Sequence, residues 1–159
     1  MTIKSKRIEI VLLALTVVAL ALAACSGQST SPPSGSDVDL SEQTQQVPVE
    51  RGGSYTDVSA VDLAAMLETK AFPLVNVHIP YEGEIEGTDL FIPFDEVGQN
   101  LDELPADKDA RIVLYCRSGS MSAAAARELV GLGYTDVWNL DGGMIAWKQA
   151  GYPVLDKNQ

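Results

Sequence analysis

From Ser54 onward the chain alternates short apolar runs with stretches in which apolar residues recur every three or four positions. Ser54–Val58 reads as a short strand. Ser59 is placed to cap a helix over Ala60–Glu68, in which Ala60, Leu63, Ala64 and Leu67 share one face. Phe72–Val77 predicts a buried strand, and an irregular acidic stretch follows from His78 to Leu90. A short strand around Phe91–Ile92, a short helix near Glu96–Leu101 and the loop carrying Pro105 come next. Arg111–Tyr115 (RIVLY) is a nearly unbroken apolar run, the pattern of a strand covered on both faces in the middle of a parallel sheet. Ser122–Leu132 predicts a helix ended by Gly131 and Gly133, and Tyr134–Leu140 contains another strand. Gly142-Gly143 then opens a last helix, Met144–Ala150, stopped by Gly151 and Pro153.

Strands alternating with helices predict one α/β domain over residues 54–155, its central, mostly parallel sheet carrying helices on both faces. In such sheets ligands bind beyond the carboxyl ends of the strands, and Cys116 falls one residue past the most apolar strand. Residues 156–159 are left as a tail.

Upstream of the domain the pattern changes. Lys4, Lys6 and Arg7 precede an almost unbroken apolar run of 15 residues, Ile10–Ala24. That suits the core of an export signal and falls short of the roughly 20 residues that span a bilayer as a helix. Residues 1–24 are therefore expected to be a signal peptide, with an uncleaved membrane anchor as the alternative. Ser26 to about Gly53 is rich in Ser, Gln, Pro, Gly, Thr and Asp and has few large apolar residues, so it is expected to be a flexible tether. A coil of that length has an r.m.s. span of roughly 30 Å.

Charge narrows the partners. The whole chain carries a formal −11. The first 24 residues hold three basic and one acidic residue, which leaves 8 basic against 21 acidic, a net of −13, for the remainder. Phosphate backbones would be repelled, so no nucleic-acid partner is expected, and any hold on a membrane must come from acyl chains. Two cysteines and one histidine argue against a multi-ligand structural zinc site, so no metal is expected.

Cys116-Arg117-Ser118-Gly119-Ser120-Met121-Ser122 joins the central strand to an alanine-rich helix. Small residues at 118, 119, 120 and 122 let backbone N–H groups converge, and the positive end of the following helix favours an anion or a thiolate there. Arg117 adds positive charge. A buried, inert cysteine in a tight strand-to-helix turn is the plainer alternative.

The segment YCRSGSMSAAAARELVGLGYTDVWNLDGGMIAWKQAGYPV resembles the C-terminal half of a single-domain rhodanese, a thiosulfate or persulfide sulfurtransferase. The likeness covers roughly residues 54–155 and is strong from Ile112 to Val154. It implies a rhodanese-like fold and a Cys116 that accepts sulfane sulfur from a small donor and passes it to a thiol or cyanide-like acceptor. Residues Arg117 to Ser122 would bind the substrate, in two displacements without metal or organic cofactor. Related phosphatases of this fold carry an arginine six residues after the cysteine, where this chain has Ser122. A phosphate ester would lack its charge-assisted partner there.

The N-terminal half departs from that family's pattern. Where rhodaneses commonly have Asp-Val-Arg, this chain has Asn76-Val77-His78, and Gly83-Glu84-Ile85 stands in place of Gly-His-Ile. Asn76, His78 and Glu84 are therefore candidates for a rebuilt pocket wall, with a purely structural role for His78 as the alternative. Met121 replaces a frequent arginine and makes the entrance less positive. Glu82, Glu84, Glu86 and Asp89 read as a solvated acidic surface, and Tyr81, Tyr115 and Trp147 as packing residues.

Leu22-Ala23-Ala24-Cys25 resembles the lipobox of bacterial lipoproteins. The resemblance implies cleavage before Cys25, lipidation of its sulfur, and an exported domain anchored to a membrane facing the periplasm or cell exterior. An ordinary cut after Ala21-Leu22-Ala23, leaving Cys25 a free thiol, is the rival. Two further functional readings stand beside the enzyme: a rhodanese-fold binding module with little turnover, and a redox role for Cys116 through mixed disulfides.

Overall fold

The computed structural model describes residues 44–156. The expected signal peptide, Cys25 and most of the expected tether lie outside them, as do residues 157–159. The described chain runs β1 (Gln45–Pro48), β2 (Ser54–Val58), α1 (Ala60–Glu68), β3 (Leu74–Asn76), β4 (Leu90–Phe91), a 3-10 turn (Val97–Gln99), β5 (Ile112–Tyr115), α2 (Ser120–Gly131), β6 (Val137–Leu140) and α3 (Gly143–Gln149). The six strands form one sheet in the order β1-β2-β6-β5-β3-β4. Only β1 runs antiparallel to its neighbour; the other pairings are parallel. This is the expected α/β architecture.

Strand periodicity divides the core. On β5, Ile112 and Leu114 point to one face and join Ala125, Ala126 and Leu129 of α2. Val113 and Tyr115 point to the other and meet Leu63 of α1 with Met144 and Trp147 of α3. All four β5 residues are buried, which is why their run reads as continuously apolar. Helix α1 has the expected limits, and Ser59 Oγ accepts the Asp62 N–H at 3.2 Å. That bond satisfies one of the orphan donors of the first turn.

Three expectations need correction. The stretch read as tether does not stay unpaired to residue 53, because Gln45–Pro48 adds to the sheet edge in register with β2, Gln45 opposite Asp57 and Pro48 opposite Ser54. Its stabilisation comes from backbone pairing and from polar bonds, Gln46 Nε2 donating to Thr56 Oγ1 and Ser54 Oγ donating to Gln46 Oε1, each 2.6 Å. Only Val47 in the strand packs on the core, so no apolar alternation marks it. The helix expected near Glu96–Leu101 is a single 3-10 turn. Helix α2 begins at Ser120, two residues before the expected Ser122, which brings Ser120, Met121 and Ser122 into its first turn.

Beneath the sheet the acidic stretch is tied down by Tyr115, which is fully buried. Its hydroxyl oxygen accepts the Ile85 N–H at 3.0 Å and lies 2.7 Å from Thr88 Oγ1. Thr88 Oγ1 donates its one proton to the Ile85 carbonyl at 2.6 Å, so the Tyr115 O–H is the donor to Thr88. Asp89 staples the next turn, accepting from Leu74 N at 2.7 Å and Lys70 Nζ at 2.6 Å. Residues of the acidic stretch thus hold structure as well as facing solvent.

Burial pushes the Tyr115 hydroxyl up to about 12 from its ordinary 10. The unfolded chain releases this proton first as pH rises, so the tyrosine's contribution is complete below about pH 10 and is lost between about 10 and 12. Urea titrations across that range are expected to show native stability falling by on the order of 2 kcal/mol more than in Tyr115→Phe. At neutral pH the same substitution leaves the Ile85 N–H without its acceptor and is expected to cost about 1–3 kcal/mol.

Candidate active site

Cys116 lies immediately past the carboxyl end of β5, at the start of the loop leading into α2. It is 1% exposed and belongs to the α2-side core. Its sulfur accepts the Gly119 N–H at 3.1 Å and faces the Ser122 hydroxyl at 3.4 Å. Ser122, itself buried, is also 3.2 Å from the Gly119 carbonyl, and its single proton serves one of these acceptors at a time. Because α2 begins at Ser120, its first-turn amides, which have no intrahelical acceptor, sit at the same loop. A sulfur held by loop donors at the head of a helix is placed for nucleophilic chemistry.

Two glycines make the loop possible. Gly119 has φ +87°, and a Cβ there would come within 3.0 Å of the Gly142 nitrogen. Gly143 has φ +56°, and its Cβ would lie 2.7 Å from the Arg117 carbonyl carbon and closer still to the Cys116 oxygen. That close approach lets α3 hold the loop from behind. Met144 N–H donates to the Cys116 carbonyl at 2.9 Å and Ile145 N–H to the Arg117 carbonyl at 3.0 Å. The backbone of Cys116 is thus fixed by a helix that begins 27 residues later in the chain.

The remaining expected site residues fall into two groups. Around the loop, Ser118 Oγ and Ser120 Oγ lie 3.2 Å apart on the exposed side. His78 reaches it too, its Nδ1 3.3 Å from Met121 Sδ, while its Nε2 is buried without a hydrogen-bond partner and stands 3.6 Å from Glu82 Oε2. The same Glu82 oxygen lies 3.3 Å from Arg117 Nε. The bonds of the other two run elsewhere. Asn76 donates from Nδ2 to the Gly83 carbonyl and accepts the His78 N–H, each at 3.0 Å, so it shapes the turn that carries His78. Glu84 exchanges backbone bonds with Leu155 at 2.8 and 2.7 Å, and its carboxylate accepts from Tyr81 at 3.3 Å. Sequence reasoning left Glu82 among the solvated acids, and nothing local marks it out, since Arg117 lies 35 positions away.

Residues 59–150 match the rhodanese-like domain family. The chain belongs to that family. A sulfurtransferase of Allochromatium vinosum is 37% identical to it over 93 residues, covering 57% of this chain and 84% of that protein. Thiosulfate sulfurtransferase 18 of Arabidopsis thaliana is 32% identical over 111 residues, covering 67% and 74%. The crystal structure of a rhodanese-related protein from Thermoplasma volcanium superposes with a TM-score of 0.53 at 29% identity, covering 62% of this chain and 96% of that one. Cys116 occupies the buried position at the head of this rhodanese domain's central loop.

The clamp yields a paired expectation. In Gly143→Ala the added methyl group meets the Cys116 and Arg117 carbonyls in a left-handed conformation, and urea denaturation is expected to show a loss of about 2–4 kcal/mol. Ser122→Ala removes one donor from the sulfur without disturbing that backbone. Its iodoacetamide alkylation at neutral pH is expected to slow about fivefold, with a melting temperature close to native.

Proposed function

We propose that this protein is a sulfurtransferase that moves sulfane sulfur from a small donor, such as thiosulfate, a persulfide or a polysulfide, through a Cys116 persulfide to a thiophilic acceptor. One observation carries the reading: the Cys116 sulfur is held at the centre of a short loop by the Gly119 N–H and faced by the Ser122 hydroxyl, six residues on. A phosphate-ester hydrolase of the same fold would need a cationic fork at that position, and a buried hydroxyl occupies it. The names of the sulfurtransferase relatives agree with the same chemistry.

In the first displacement the Cys116 thiolate forms a bond to the outer sulfur of the donor. The donor's S–S bond breaks, and its remaining electron pair leaves on sulfite when the donor is thiosulfate. In the second, a thiolate or cyanide takes the outer sulfur of the persulfide, giving a new persulfide or thiocyanate and returning the Cys116 thiolate. Charge and atoms balance at each step without an oxidant. The loop donors hold negative charge near Sγ in both the thiolate and the persulfide, and Met144 and Ile145 keep the loop in place between displacements.

The proposal extends to location. The Leu22-Ala23-Ala24-Cys25 run supports export, cleavage before Cys25 and attachment by acyl chains to a bacterial membrane. The mature domain would then meet its donor and acceptor in the periplasm or at the cell exterior.

Intact-protein mass spectrometry tests the chemistry. After incubation with thiosulfate or a polysulfide, the native protein is expected to gain the mass of one sulfur atom and to lose it on addition of cyanide. Cys116→Ser is expected to gain nothing. Absence of the adduct with every sulfane donor would leave a binding module on this fold. For the anchor, Cys25→Ser is expected to move the protein from the membrane to the soluble fraction after cell disruption. An unchanged distribution would point to an uncleaved signal helix.

A further inference from the structure

Arg117 is the cation next to the nucleophile, and its charge is answered at once. Its side chain is 59% exposed and its Nε lies 3.3 Å from Oε2 of Glu82, which is 42% exposed. The same oxygen stands 3.6 Å from the unbonded Nε2 of His78, whose other ring nitrogen rests on Met121 Sδ. Glu82 therefore closes an arc along one side of the loop, from the residue after the cysteine to the first turn of α2. With His78 neutral, that arc carries one guanidinium, one carboxylate, an imidazole and a thioether, and its net charge is zero. Exposed ion pairs of this kind contribute little to folding. Their effect on an approaching ion is separate, because a ligand responds to the summed charge at the mouth of its site. The chain as a whole adds a formal −11.

We infer that Glu82 is a specificity-determining residue that, by neutralising Arg117, turns the site away from dianionic sulfur donors and toward monoanionic or uncharged ones. The inference deepens the sulfurtransferase reading and rests on it. Thiosulfate brings two negative charges to a mouth that offers no net positive charge. A thiosulfonate of an organic residue brings one, and an uncharged polysulfide brings none. The chemistry at the sulfane sulfur is the same for the two anions. The Cys116 thiolate bonds to the outer sulfur while the S–S bond to the oxidised sulfur breaks, releasing sulfite dianion from thiosulfate or a monoanionic sulfinate from the thiosulfonate. The two donors therefore differ at the mouth of the site chiefly by one charge.

Steady-state kcat/KM for thiosulfate and for benzenethiosulfonate, with cyanide as acceptor, tests this on the full chain and on Glu82→Gln and Glu82→Asp. Glutamine keeps the size and polarity of the side chain and removes its charge. Because the electrostatic free energy scales with ligand charge, Glu82→Gln is expected to raise kcat/KM about tenfold for thiosulfate and about threefold for benzenethiosulfonate. The ratio between donors then moves about threefold, and the shift shrinks as salt is added. Glu82→Asp keeps the charge and is expected to hold the native ratio. An unchanged ratio in Glu82→Gln, or an equal shift in Glu82→Asp, would overturn the inference while leaving sulfur transfer intact. Failure of both donors and of an uncharged polysulfide to load Cys116 in the native protein, read by mass, would instead overturn the sulfurtransferase reading beneath it.

Discussion

The geometry of the site depends on two hydrogen bonds that contain no catalytic atom. The carbonyls of Cys116 and Arg117 accept from Met144 and Ile145, so the turn after β5 is held by the start of α3 as well as by the sheet it leaves. A strand end alone leaves such a turn free to open. Clamped from behind, it directs the Gly119 N–H at Sγ and keeps the first turn of α2 alongside. The clamp demands a residue without Cβ at 143, where the backbone of one segment presses on the carbonyls of another. Catalytic preorganisation here is a packing property of backbone against backbone, with the side chains added on top.

A second layer of control is electrostatic, and it comes from a different part of the chain. The segment between β3 and β4 is fixed on its inner side by Tyr115 and Asp89 and by the Glu84–Leu155 bridge. Fixing that side determines where its outer side lies, which is how His78 and Glu82 come to border the loop. Asn76, in place of a charged residue at the end of β3, contributes two neutral hydrogen bonds to the same turn and no charge. The wall bordering the Cys116 loop is thus positioned by structural residues on its inner side.

Much of this was legible in the sequence, for identifiable reasons. β5 declared itself because both of its faces are buried, and α1 because its capping serine and its apolar stripe agree on one boundary. The strand-to-helix loop was legible because its residues are contiguous, Cys116 through Ser122. What stayed hidden involves partners far apart in the chain. β1 is paired by backbone and polar side chains, so its composition matches that of a linker. Glu82 resembles its acidic neighbours until Arg117 is brought beside it, and Gly143 looks like a helix start until the Cys116 carbonyl is seen behind it. The earlier start of α2 follows from the left-handed backbone at Gly119, which periodicity does not report.

The direction of β1 has a further consequence. Gln45 pairs with Asp57, near the carboxyl end of β2, and the carboxyl ends of the parallel strands form the rim on which Cys116 sits. The described polypeptide therefore enters the sheet on the same rim as Cys116, at the outer edge of the strand order. The N-terminal edge of the described domain and its central loop thus share one end of the sheet, although three strand positions separate β1 from β5.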